Sequence, residues 1–323
     1  MSDSTSDRPA ATGTPATAAG LAAAAGPTAA NGPAGEHLAG PAGAQLPDLT
    51  AEEEAKPYSK YYHGALATPD TALMAQLRPD KPLDPAEVLL PESMNDLLEP
   101  GYLPGETGWC VLPNGAGYVA VNNKMPGVTA EMVDWWMWWH SLEDLRYKIW
   151  WPPAHAGISP NDERDRKRVL DPDPGLPDTA RWQGVTHHVV ENIGGGFDDI
   201  YISFLTPEQF GFDMSRFHKP NVSTAVCANG ANAPVGSPPF VPKATAMMCH
   251  FVRDIPGGIE YRTRFWLGYQ VVEKRPVCIL PPGAKVPWQA PFGLAVHNVQ
   301  EYSNLRELLP KIYAEQRDKG PLS

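Results

Sequence analysis

The sequence predicts an α+β protein in which a curved antiparallel sheet wraps one long C-terminal helix. Three observations carry this expectation. Gly108 to Leu112 and Tyr118 to Asn122 are strand-like runs around Asn114-Gly115, a hairpin turn signal. Residues 244–272 read as a long hairpin turning at Pro256-Gly257-Gly258, and its second strand alternates. Ile259, Tyr261, Thr263, Phe265 and Leu267 share one face; Glu260, Arg262 and Arg264 share the other. The chain then closes with a helix starting near Phe292. Hairpin, helices, antiparallel strands and terminal helix, in that order, lay the helix across the sheet and enclose a cavity between them.

The elements follow in order. Residues 1–56 are Ala, Gly, Pro and Thr with an acidic run, Glu52 to Glu54. They hold too few large apolar groups to offset ordering entropy, so they read as a disordered tail, with Leu21 to Ala25 as a nascent helix at most. Residues 57–107 read as a small helical arm. Thr68-Pro69-Asp70 caps one helix, Asp84-Pro85 through Leu90 is a second, and Ser93 through Leu98 a third. Residues 108–323 form the main domain. Within it, Thr129 caps a helix through His140, and Leu142 to Trp150 continues helically. Acidic, proline-rich loops are expected from Asn161 to Asp178, then strands at about Trp182 to Glu191 and Asp199 to Leu205. Ala228 to Pro242 is too rich in Gly, Pro and Asn for regular structure.

Bulk composition excludes several classes. The chain has 323 residues, 42% hydrophobic and 20% charged, enough for a substantial core. Its net charge of −11 is unsuited to neutralising phosphates, so no nucleic-acid partner is expected. No apolar stretch approaches a membrane span, and no secretory signal is visible. Cys110, Cys227, Cys249 and Cys278 form no CxxC pair, which fits reduced thiols in a cytoplasmic protein.

Residues 134–155 hold six of the ten tryptophans and end at His155, after Pro152-Pro153. Such a run suits aromatic walls, and Tyr147 within it is placed to aim its hydroxyl inward. On the terminal helix, His297 and Glu301 stand at i and i+4, on the stripe that continues through Leu305, Leu308 or Leu309, and Ile312. A carboxylate on a buried stripe needs a partner. A solvent-open His–Glu hydrogen bond is the plain alternative. In the strand Thr186 to Glu191, alternation puts His187, Val189 and Glu191 on one face and His188 and Val190 on the other. For at least one of these histidines an ordinary strand position is the simpler reading. His250 lies amid Met247, Met248 and Phe251, and local alternation does not fix its direction. Glu143 and Asp144 beside Arg146 and Lys148 read as ion pairs. No GxSxG, HExxH or P-loop is present. His155, Glu191 and the His297/Glu301 pair make a plausible zinc or iron set, although spacing alone does not select them from nine histidines.

At these residues the sequence resembles the family of 2,4-diacetylphloroglucinol hydrolase and phloretin hydrolase. The likeness rests on DLRYKIWWPPAH (144–155), HHVVENIGGG (187–196), RTRFWLGY (262–269) and HNVQEYSNL (297–305), and covers roughly residues 57–318. It implies a helix-grip, Bet v 1-like domain with a helical N-terminal arm used in homodimerisation. It implies zinc, with iron the less favoured ion, held by His155, Glu191, His297 and Glu301. It matches the active-site tyrosine to Tyr147, a second tyrosine to Tyr261 and a catalytic histidine to His250. The activity implied is hydrolysis of the carbon–carbon bond between an acyl group and a phloroglucinol-type ring, on a small polyketide- or flavonoid-type substrate. Two alternatives stay open: a non-catalytic carrier of aromatic ligands, and a non-haem iron oxygenase.

Overall fold

The computed structural model describes residues 46–320 except 47, 172 and 174, all within the unit His37–Ser323. Up to residue 45 the stretch read as a tail, with the run Leu21 to Ala25, lies outside the described residues. The end of that stretch carries helix α1 (Ala51–Glu54). The Thr50 hydroxyl accepts the Glu53 N–H and the Glu53 carboxylate accepts the Thr50 N–H, a capping box.

In the arm, α2 (Thr71–Met74) is capped by Asp70, whose carboxylate accepts the N–H groups of Ala72 and Leu73. Pro91–Leu98 winds as a 3-10 helix where an α-helix from Ser93 is expected. The helix expected from Asp84-Pro85 through Leu90 is a correction: residues 85–87 make only a turn. Asp84 caps that turn through Ala86, and Pro91 disfavours helical backbone in the residue before it.

The main sheet has eight strands, all antiparallel to their neighbours, in the order β1-β2-β8-β7-β6-β5-β4-β3. They are β1 (Gly108–Val111), β2 (Gly117–Pro126), β3 (His155–Pro160), β4 (Thr186–Asn192), β5 (Phe197–Leu205), β6 (Thr224–Pro234), β7 (Ala244–Ile255) and β8 (Gly258–Leu267). Helices α3 (Ala130–Trp139) and α4 (Asp144–Trp150) precede β3, α5 (Glu163–Val169) and α6 (Asp178–Trp182) join β3 to β4, and α7 (Pro207–Phe210) follows β5. A separate pair, β9 (Tyr269–Val272) and β10 (Arg275–Cys278), leads to α8 (Gln289–Gln316). This mixed α and β plan, with a large antiparallel sheet and a long C-terminal helix, is compatible with a helix-grip. Among the described residues no helix is long and apolar enough to cross a membrane.

Two further expectations are corrected. The stretch Ala228 to Pro242 is not all loop, because β6 runs to Pro234 between β5 and β7. Its polar Asn229 is satisfied by bonding both the N–H and the carbonyl of Val271 on β9. The acidic segment after Asn161 holds α5, capped by Asp162 through Asp165. Its surface is almost wholly charged, so it lacks the apolar periodicity that reveals helices. The long hairpin is formed, with Gly257 at φ 80 in its turn. A side chain at Gly258 would meet the Met125 carbonyl at 2.3 Å, so strand β2 approaches only because glycine is there.

The sheet is covered on both faces. On the inner face α3, α4 and α8 pack with Val189, Phe204, Val226, Val252, Ile259 and Tyr261. On the outer face Val88, Leu89, Met94, Leu97 and Leu98 of the arm cover Tyr118, Ala225, Cys249, Phe251 and Trp266. The Glu106 carboxylate clamps the arm there, taking Arg262 at 2.6 Å and Arg264 at 2.8 Å. All six tryptophans of the 135–151 run are buried. They divide by role: Trp135 and Trp139 stack on each other and pack on Tyr313 and Tyr58, away from the site, whereas Trp150 faces it.

Candidate metal centre

Three elements converge on the inner face. His155 starts β3 and Glu191 is its register partner on β4. The register shifts between His155 and Gly157, and the Asp144 carboxylate accepts the Ile158 N–H beside that irregularity at 2.7 Å. This bulge aims His155 into the interior while fastening β3 to the start of α4. His297 and Glu301 come from α8, one turn apart. Glycine at position 293 helps α8 reach the corner after Glu191, since a side chain there would meet the Ile193 carbonyl at 3.3 Å.

The structure brings together all four residues singled out from the sequence. Donor atoms of His155, Glu191 and His297 lie within 4.8 Å of one another, a group able to hold a metal ion. Glu301 Oε2 is 3.6 Å from Nε2 of both His155 and His297. Glu191 Oε1 is 2.8 Å from His297 Nε2 and 3.7 Å from His155 Nε2. Both Nε2 atoms are buried; neither makes a well-aligned hydrogen bond, and His297 Nε2 has only the close ionic approach of Glu191. Two buried imidazole nitrogens facing the same two carboxylates, with their donor atoms converging on one point, fit a shared cation. The donor chemistry, two imidazoles with two carboxylates, suits zinc. His155 is held for that role: its Nδ1 donates to the Tyr147 carbonyl at 3.1 Å, which leaves Nε2 with the free lone pair.

Burial alone raises carboxylate pKa values and lowers those of imidazoles. Here the mutual charges win. Burial would push His297 down, but Glu301 and Glu191 carry it up to about 10. Burial would push Glu191 up, but His297, His155 and the Tyr147 hydroxyl hold it down at about 2. Glu301 is also lowered, by His297 and His155 against the effect of burial.

The other expected residues surround this centre. Tyr147 lies in α4 and donates its hydroxyl to Glu191 Oε2 at 2.5 Å. Tyr261 on β8 and His250 on β7 both face inward, with ring centroids 5.1 Å apart. His250 Nδ1 bonds the Thr263 hydroxyl at 2.9 Å, and burial pushes its pKa down to about 4. Two residues of α8 escaped the sequence reading. Tyr302, next to Glu301, donates to the Tyr261 hydroxyl at 3.1 Å and lies 3.5 Å from His250 Nε2. Asn298 bonds Glu301 Oε1 at 3.4 Å and accepts from Asn123 on β2 at 3.0 Å. Their signal is positional: Tyr302 and Asn298 each adjoin a ligand candidate on the helix. Of the two histidines in HHVVE, His188 pairs with Asp199 near the surface at 2.7 Å, whereas His187 points into the core.

A sheet-and-helix shell around a buried His/Glu group able to hold a metal ion defines a protein of mixed α and β structure with a candidate metal site. More particularly, the chain belongs to the DAPG hydrolase family: residues 89–314 match the model of the DAPG hydrolase PhiG domain. It is 32% identical over 275 residues to the phloretin hydrolase of Eubacterium ramulus, covering 83% of this chain and 93% of that protein. It is 28% identical over 270 residues to a 2,4-diacetylphloroglucinol hydrolase of a Pseudomonas species, covering 80% of this chain and 88% of that protein. A like match, 28% over 270 residues, links it to the 2,4-diacetylphloroglucinol hydrolase of Pseudomonas protegens, with 84% of that protein covered.

Proposed function

We propose that this protein is a zinc-dependent hydrolase that cleaves the carbon–carbon bond joining an acyl group to a phloroglucinol-type ring. The observation that carries the reading is the buried set His155, Glu191, His297 and Glu301, whose imidazole and carboxylate donors converge on one point. The names of the relatives supply the substrate class. A helix-grip, Bet v 1-like architecture and a homodimeric assembly belong to the same proposal.

Water is added across the bond, so the acyl carbon gains a hydroxyl and the ring carbon a hydrogen. These four side chains would hold the zinc, which when bound would supply Lewis acidity for the acyl oxygen and for activating water. Tyr147 orients Glu191 through its hydroxyl and holds His155 in place through its carbonyl. His250 is neutral at pH 7, so its imidazole can take a proton from a ring hydroxyl and return it to the carbon that loses the acyl group. Tyr261 and Tyr302, both held protonated by burial, are hydroxyl donors for the acyl oxygen or a ring hydroxyl. Trp150 offers a flat wall, edge-on to His155 and Tyr302.

The test is incubation of the purified protein with 2,4-diacetylphloroglucinol and with phloretin, measuring products and metal content on one sample. Release of the carboxylic acid by a zinc-loaded protein supports the reading. Absence of acid from both ketones sinks the substrate assignment, and turnover by a metal-free protein sinks the mechanism.

A further inference from the structure

We propose that His187 is a specificity-determining residue that binds a hydroxyl at the far end of the substrate's acyl arm. This rests on the hydrolase reading above and deepens it. His187 shares the inner face of β4 with Glu191, and four residues of strand set their α-carbons about 13 Å apart. Its side chain is 1% exposed, and neither ring nitrogen has a hydrogen-bond partner. Native interiors rarely leave such a group unmet, so both nitrogens point to a missing polar partner.

The surroundings indicate where that partner belongs. His187 meets Phe204 at a ring-centroid distance of 5.0 Å and His140 at 6.4 Å. His140 in turn lies 6.0 Å from Tyr147, which stacks on His155 at 4.0 Å. A file of rings thus leads from the metal centre to His187. An acetyl group is too short to follow it, whereas an arm ending in an aromatic ring is not. Burial, then the nearby His140, pushes the His187 pKa down to about 3. A neutral imidazole offers one donor and one acceptor, which matches a hydroxyl and not a carboxylate or an ammonium.

The experiment compares phloretin, whose acyl arm ends in a 4-hydroxyphenyl ring, with its analogue lacking that hydroxyl. The wild-type protein is expected to have the higher kcat/KM for phloretin. In His187→Phe the ratio of the two values should fall by about tenfold or more, while His187→Gln, which keeps a donor and an acceptor, should retain part of the preference. Equal kcat/KM values in the wild type overturn the proposal, and so does a His187→Phe loss that is equal for both ketones. Should neither ketone be cleaved, the hydrolase reading fails on its own account. Binding of 4-hydroxyphenylpropanoate against phenylpropanoate, followed by tryptophan fluorescence, then decides. A preference for the hydroxylated acid that the Phe variant loses supports the proposal; equal binding by the wild type overturns it. If the Phe variant does not fold, the wild-type and Gln ratios carry the same test.

Discussion

Tyr147 lies flat against His155, with ring centroids 4.0 Å apart and 3° between the planes. The tyrosine hydroxyl meanwhile reaches Glu191 on the neighbouring strand. One side chain therefore orients two of the four proposed ligands, by stacking and by hydrogen bonding. Tyr147→Phe keeps the stack and removes the bond. The expected outcome is a folded protein whose zinc affinity is about 10- to 100-fold weaker, read by competition with a chromogenic chelator. Unchanged affinity would remove Tyr147 from the ligand-holding role.

Removing a proposed ligand should do more. His297→Ala and Glu301→Ala are each expected to lose bound metal and hydrolysis together, with metal content measured by mass spectrometry. Dialysis against a chelator should abolish wild-type activity, and zinc should restore it.

Asp134 in α3 is half-buried beside the Thr224 hydroxyl, which donates to it at 2.7 Å. Burial raises its pKa to about 6 from 3.8, more than the Thr224 bond lowers it. The folded state thus favours the protonated acid. Its contribution is fully present below pH 3.8 and is lost as pH rises through 6. Asp134→Asn should accordingly raise stability at pH 7 by about 1 to 3 kcal/mol, and flatten the pH dependence between 4 and 6. Urea denaturation across that range checks both.

Glu106 behaves oppositely. Burial would raise its pKa, but Arg264 and Arg262 hold it at about 2, against 4.5 in the unfolded chain. Its stabilisation is present above pH 4.5 and disappears as pH falls through 2. Glu106→Gln leaves two buried guanidinium groups without their counter-ion, at a cost of about 3 to 5 kcal/mol at pH 7. The variant should also lose the part of the acid-induced unfolding that Glu106 contributes in the wild type.

The sequence discloses the sheet where side chains alternate and the backbone is free of special cases. His187, Val189 and Glu191 are all buried, with the residues between them less so, as alternation requires. The Ile259 to Leu267 strand and the capped helix after Thr129 are legible for the same reason. The rest was hidden by long-range compensation. Asn229 looks like a loop residue until Val271 pairs with it, and α5 has no apolar stripe to show. The candidate site was legible only through its family resemblance. His155, Glu191 and the α8 pair come from separate segments, and no local pattern joins them. Tyr302 stayed hidden because its partners, Tyr261 and His250, sit on other elements.

The register pairing of His155 with Glu191 has a consequence for assembly. β3 is the edge strand of the sheet, and α8 is the last helix among the described residues. The four carboxylate and imidazole donors meet only once that outermost strand has zipped into register and the C-terminal helix has docked. A fragment that lacks β3 or α8 lacks part of the constellation. Through this centre the edge strand of the sheet is stapled to α8, so a bound metal would stabilise that junction against opening.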